Sequence, residues 1–291
     1  MPRPPLSVVI PVREGLAEIA PTLEALLPAA EAVGAEVLVV GGLEPDATPP
    51  AGLVRLIPMP VADMLALRRR ALTEARGELV AIGEDHAVPR ADWCEAVIRA
   101  HAEQPDASAV VGCLVNATDG TLAGRANFRA FASPWAPPMP ELPGGRPPPC
   151  STLSFKRAAL AGIEAEAPGW FEAGLIPALF AAGRMGADER IVSDHFQDHG
   201  GLWSIRNSYD SARASYGYER SKLDLSGRRR VARWALGAIP RGLRAEAREG
   251  VNGRRMPAPE TMLIAAIAFA AGVGATAGIL LGPGRSPERV A

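Results

Sequence analysis

Cysteine and surplus charge are both scarce in this chain. Its 291 residues hold three cysteines, Cys94, Cys113 and Cys150, at no metal-ligand spacing. An odd number of them rules out a disulfide framework and fits a reducing compartment. Net charge is −1 with 22% charged residues, so global charge points neither to a nucleic-acid partner nor to an acidic tail. Gly 30 and Pro 28 are plentiful but follow no collagen-like period, and they read as turns. No internal repeat is present. The first apolar run, Leu6 to Ile10, is too short for the core of a secretion signal, and Pro11 stops it. What the chain does have is 48% hydrophobic residues, enough to bury the core of one large domain or two modest ones.

That apolar content is patterned. Leu6 to Ile10, Glu36 to Val40, Leu53 to Ile57, Leu79 to Ile82 and Ala109 to Leu114 read as buried strands. Helical spacing fills the intervals: Leu16 to Val33, with Pro21 and Pro28 near its ends or kinking it, Val61 to Arg76, and Ala91 to His101. Nearly continuous apolar strands alternating with helices predict a parallel, Rossmann-like sheet covered on both faces. The second half is less regular. Trp135 to Pro149 reads as a loop over a cleft or a linker, Cys150 to Phe155 and Arg190 to Ser193 as strands, and Trp170 to Gly183 as a short helix.

Ligands of such sheets bind beyond the carboxyl ends of the strands. The fourth strand is followed by Gly83-Glu84-Asp85-His86. Two acids and an imidazole at one strand end call for a cationic partner, such as a divalent ion bridging a diphosphate; a solvated turn before the next helix is the plain alternative. The first strand exits through Pro11-Val12-Arg13-Glu14 and the second through Gly41-Gly42, with Glu44 and Asp46 soon after. The glycines allow close backbone approach to a ligand, and are equally ordinary in turns.

These segments, in this order and spacing, resemble the nucleotide-sugar-binding half of family 2 glycosyltransferases with the GT-A fold. The resemblance runs on through Cys150-Ser-Thr-Leu-Ser-Phe-Lys-Arg157, Gly169-Trp-Phe-Glu172 and Tyr209-Asp-Ser-Ala-Arg213, and covers about residues 5 to 220. It implies a mixed α/β sheet flanked by helices and a metal-dependent transfer from a nucleotide-diphosphate sugar to an acceptor hydroxyl, with inversion. By position it makes Asp85 and His195 ligands of Mg²⁺ or Mn²⁺. Pro11, Glu14, Gly41, Arg68, Glu84 and Arg213 fall at the nucleotide sugar, and Glu172 is the general base. The alternative for Glu172 is an acid favoured by a helix N-terminus. Two departures stand out: Gly41-Gly42 replace the aspartates usual after the second strand, and Arg69 replaces an asparagine. They leave open a weakened, binding-only relative. A nucleotidyltransferase would need a glycine-rich loop with a basic residue after the first strand, which Pro11 to Glu14 does not supply.

The C-terminal part has another character. Met262 to Leu281 carries no charge, and a helix of that length spans ~30 Å, about a bilayer's hydrocarbon core. It is rich in Ala and Gly, and Gly274 and Gly278 form a small-xxx-small pair suited to close helix packing. Upstream, Arg228 to Ile239 mixes arginine with Trp234 and aliphatics, the composition of a helix on an anionic membrane surface. A buried helix preceded by a solvated basic one is the alternative. The expected organisation is a catalytic domain over 1–220, a basic amphipathic segment over 221–260, a transmembrane or membrane-associated helix over 261–282 and a tail over 283–291. The expected location is the cytoplasmic face of a membrane, with a lipid-linked or envelope glycan as acceptor.

Overall fold

A computed structural model describes residues 3–13, 15–44, 47–60, 64–139, 141–142, 148, 150–163, 171–197, 199–249 and 258–290, with side chains except at 173, 238–249 and 258. Two compact units emerge: a sheet unit of residues 1–117 and 134–196, and a helical unit of 118–133 and 197–291. The second unit therefore begins inside the 1–220 span expected to be one domain.

In the sheet unit, β1 (Leu6–Val12), β2 (Glu36–Gly41), β3 (Val54–Pro58) and β4 (Leu79–Ile82) are parallel, with α1 (Ala20–Val33) and α2 (Met64–Glu74) in the crossovers. β5 (Ala87–Pro89) and α3 (Trp93–Glu103) follow, then β6 (Ala109–Asn116). In the helical unit lies α4 (Leu122–Phe131), whose N-cap Thr121 accepts a hydrogen bond from the Gly124 amide at 2.9 Å. The chain then returns to the sheet unit with β7 (Leu153–Lys156), a single π-helical turn (Phe171–Leu175), α5 (Ile176–Ala181) and β8 (Met185–His195). The eight strands lie in the order β3-β2-β1-β4-β7-β6-β8-β5. β7 runs antiparallel to both β4 and β6, and β5 antiparallel to β8, so the sheet is mixed. The purely parallel arrangement suggested by strand–helix alternation holds for β1 to β4.

Alternate residues of each strand enter opposite cores, as the pleat demands. Val8 and Ile10 pack with Leu23, Leu26 and Val97 from α1 and α3; Val9, Leu38 and Val40 pack with Leu72, Phe155 and Ile176 on the other face. At the amino edge of the sheet, Glu36 accepts from Ser7 Oγ (2.5 Å), the Arg76 amide (2.6 Å) and Arg55 Nη1 (3.1 Å). This ties β1, β2, β3 and the end of α2 together, with the buried polar groups paired. At the other edge, β1 and β4 pair only as far as Val9–Ile82. Pro11, which cannot donate to a ladder, is tolerated because it falls beyond that pairing.

The helical unit adds α6 (Gly201–Glu219), α7 (Leu225–Glu249) and α8 (Ala258–Leu281). α8 packs along α6, and the small-xxx-small pair makes the contact. A Cβ on Gly274 would stand 2.2 Å from the Tyr209 carbonyl oxygen, and one on Gly278 2.4 Å from that of Arg213. Glycine is therefore needed at both positions for the helices to approach this closely. The Pro259–Leu281 stretch is long and apolar enough to cross a membrane.

Candidate active site

The carboxyl edge of the sheet gathers the charges. The turn after β4 carries Glu84, Asp85 and His86; β8 ends at His195. The antiparallel pairing of Ala87 with His195 brings the two histidines together. Their rings meet edge to face with centroids 4.7 Å apart. His86 Nε2 and His195 Nε2 lie 3.6 and 3.5 Å from Glu84 Oε2. One donor atom from each of Glu84, His86 and His195 lies within 4.8 Å of the others.

The electrostatics of this cluster are unusual. Burial pushes the Glu84 carboxyl up, but His195, His86 and Arg68 outweigh it and hold its pKa down to about 2. Burial likewise opposes the charge of His86, yet its bond to Asp85 and the charge of Glu84 raise it to about 9. Glu84 Oε2 and His195 Nδ1 are buried without a hydrogen-bond partner among the described residues. A carboxylate oxygen facing two imidazole Nε2 atoms at 3.5 and 3.6 Å fits a divalent cation bound between them at ~2.1 Å.

Asp85 stands one step back. Its carboxylate bonds His86 Nδ1, and its carbonyl oxygen accepts from Thr22 Oγ1 at 3.2 Å. That places it where an acid orients an imidazole. His86, noted in the sequence as part of this acidic run but not among the expected metal ligands, is the third member of the cluster. The run Glu84-Asp85-His86 was visible, but the three-residue strand that turns His86 toward His195 was not.

Arg68, on α2, joins this edge to the π-helical turn. Its Nη1 lies 3.4 Å from Glu172 Oε1 and its Nη2 3.9 Å from Glu84 Oε1. Burial opposes its charge, but the carboxylates of Glu172 and Glu84 hold the guanidinium firmly protonated. Its Nε has no hydrogen-bond partner among the described residues. Burial pushes the nearby Cys150 thiol up to about 12, which leaves it neutral at physiological pH.

The remaining expected residues separate. Pro11 is buried in β1 opposite Val40. Gly41, with φ at +142°, is required by the fold itself: a Cβ there would fall 1.9 Å from the Val12 carbonyl oxygen. Glu14 and Asp46 lie outside the described residues, whereas Glu44 reaches back over Gly15, at the exit of β1. Arg213 belongs to the helical unit. Its Nε donates to the Gly282 carbonyl and its Nη1 to Tyr209 Oη, both at 3.3 Å, fixing the end of α8.

No family model and no curated protein sequence matches the chain. Among solved structures, the mannosyltransferase PcManGT from Pyrobaculum calidifontis, in complex with GDP-Man and Mn²⁺, aligns over 92% of this chain and 86% of its own with a TM-score of 0.53 and 16% identity. The fold is GT-A-like. Looser alignments, to S. aureus TarS 1-349 in complex with UDP-GlcNAc (TM-score 0.48, 15% identity, 85% of this chain and 74% of that one) and to glucosyl-3-phosphoglycerate synthase from Mycobacterium tuberculosis with Mn²⁺, UDP and phosphoglyceric acid (0.43, 15%, 67% and 71%), add nothing to that assignment. Within a GT-A-like fold, the Glu84–His86–His195 cluster occupies the carboxyl edge where open α/β sheets take their ligands.

Proposed function

We propose that the chain is a divalent-metal-dependent glycosyltransferase that uses a nucleotide-diphosphate sugar. The observation that carries the proposal is the under-satisfied cluster of Glu84, His86 and His195 beside Arg68 and Glu172, at the carboxyl edge of a GT-A-like sheet. Glu84, His86 and His195 would hold Mg²⁺ or Mn²⁺, which when bound supplies positive charge to the leaving diphosphate. Asp85 would keep the His86 ring oriented. Pro11 and Gly41 would border the nucleotide.

Arg68 and Glu172 then have complementary tasks. While Arg68 pairs with Glu172, the carboxylate is engaged by the guanidinium and is not free to take a proton. A diphosphate competing for the guanidinium would free Glu172 to take the acceptor hydroxyl proton as that oxygen attacks the anomeric carbon. Attack on the face opposite the diphosphate inverts the configuration. The same ion pair favours a second reading, a binding-only relative in which Arg68 keeps the sole aligned acid engaged. The apolar α8 and the arginine-rich α7 support a membrane-associated protein, on the cytoplasmic face, with a lipid-linked or envelope glycan as acceptor.

The test is a calorimetric titration of GDP- and UDP-sugars with and without Mn²⁺. Mn²⁺-dependent donor binding is expected, weakened at least roughly tenfold to a hundredfold by Glu84→Gln or His195→Ala. Metal-independent binding, or binding unchanged in both variants, would sink the site. Binding that never leads to sugar transfer or donor hydrolysis would favour the second reading.

A further inference from the structure

The apolar block of α8 passes a length test for crossing a bilayer, but both of its ends are tied to polar groups. At the start, Glu260 is 2% exposed, and its two oxygens meet Arg125 Nε (2.5 Å) and Arg129 Nη1 on α4. Just past its end, Gly282 accepts from Arg213, while buried Asp210 accepts from Ser286 Oγ at 2.7 Å and faces Arg206 at 3.8 Å. Between these ends, Gly274 and Gly278 lie against the α6 backbone. A spanning α8 would have to draw α6 into hydrocarbon, with Arg206, Asp210 and Arg213, or tear itself from the helix its glycines fit. Both are costly for charged groups at bilayer depth.

The exposed surface has a different composition. α8 leaves Met262 72%, Phe269 59% and Leu281 76% exposed, and α7, packed against α8, leaves Trp234 58% exposed together with Leu236. The same exposed part of α7 carries Arg229, Arg230 and Arg233. From Leu225 to Ala245 the helix has six arginines and no acid. Cationic side chains among a tryptophan and aliphatics complement a layer of anionic headgroups over acyl chains.

We infer that α7 and α8 seat the helical unit in one leaflet of an anionic membrane, lying along its surface rather than crossing it. This rests on the membrane reading above and adds the mode of attachment and the lipid charge. The exposed aliphatic and aromatic side chains enter the headgroup–acyl boundary, the arginines meet lipid phosphates, and the buried Glu260 and Asp210 pairs stay inside protein.

The experiment is sedimentation of the full chain with vesicles of phosphatidylcholine alone or mixed with phosphatidylglycerol. Binding is expected to the mixed vesicles only, to weaken with added salt, and to be released by alkaline carbonate. Reversing three charges together (Arg229→Glu, Arg230→Glu, Arg233→Glu) should weaken it roughly a hundredfold or more. Phe269→Asp, at an exposed position that leaves the core intact, should weaken it independently of salt. Carbonate-resistant binding to both vesicle types would overturn the inference in favour of a spanning helix. Failure to bind the mixed vesicles would overturn it as well; self-association abolished by Phe269→Asp would then identify a second copy as the occupant. Donor and Mn²⁺ binding, measured without vesicles, reads the sheet unit, so the two proposals fail separately.

Discussion

In the sheet unit, Glu84 Oε2, Arg68 Nε and His195 Nδ1 are buried without a hydrogen-bond partner among the described residues, although they lie within one edge of one sheet. In the helical unit, both oxygens of buried Glu260 meet a guanidinium, and Asp210 is bonded to Ser286 and faces Arg206. Leaving a buried polar atom unpaired is costly, and a fold retains such atoms where something else completes them. On the proposed function, charge in the first unit is arranged for a ligand, whereas charge in the second is paired within the chain itself. The amino edge of the sheet supports this distinction, since Glu36, equally buried, is fully engaged by Ser7, Arg55 and Arg76.

The sharpest way to test the ligand-directed side of that contrast is Glu172→Gln. The amide cannot accept the acceptor's proton, so turnover should fall by roughly 10²–10⁴ while donor affinity changes little. Initial rates and donor binding measured on the same preparation check this. An equal loss of both would make Glu172 a binding residue.

Within the sheet unit, but away from its carboxyl edge, burial is handled in a third way. His101 on α3 shares a 2.9 Å hydrogen bond with Ser154 Oγ, which itself donates to the Val110 carbonyl. Burial, with Lys156 nearby, lowers its pKa from the usual 6.5 to about 4. The folded protein thus binds this proton less readily than the unfolded chain. The neutral ring imposes no penalty above pH 6.5. Below that, stability falls until pH 4, by about 3 kcal/mol in all. Urea unfolding across this range should show the loss, and His101→Gln should flatten it. A histidine kept neutral, unlike His86, marks structure rather than chemistry.

How much of this was legible beforehand follows from where the information lies. β1 to β4 announce themselves because each is a continuous apolar run. β8 did so only over Arg190 to Ser193, because Asp188 and Arg190, bonded to each other at 2.8 Å, interrupt its apolar run. β5 is three residues long and carries no periodic signal at all, yet its pairing with β8 decides that His86 joins the cluster. The Arg68–Glu172 contact joins residues more than a hundred positions apart and is a product of topology. Gly41 illustrates the opposite case: a residue noticed for its freedom beside a ligand proves to be required by the Val12 carbonyl. Gly274 and Gly278 were read as a packing pair, and their partner is α6 of the same chain.

The helical side of the contrast is tested by Glu260→Gln. The substitution leaves Arg125 and Arg129 facing a neutral amide; both guanidiniums are partly exposed, so water recovers some of their solvation. The cost is therefore below that of breaking a fully buried pair, about 2 kcal/mol, read as a lower urea midpoint. If the two units use charge as argued, saturating Mn²⁺ should raise the sheet unit's midpoint equally in wild type and Glu260→Gln, and not in Glu84→Gln. At a hundred times the dissociation constant the gain in stability behind that rise is about 2.7 kcal/mol. A Glu260 variant that lost its response to Mn²⁺ would mean that the pairing in α4 and α8 serves the metal cluster too, and the division between ligand-directed and chain-directed charge would fail.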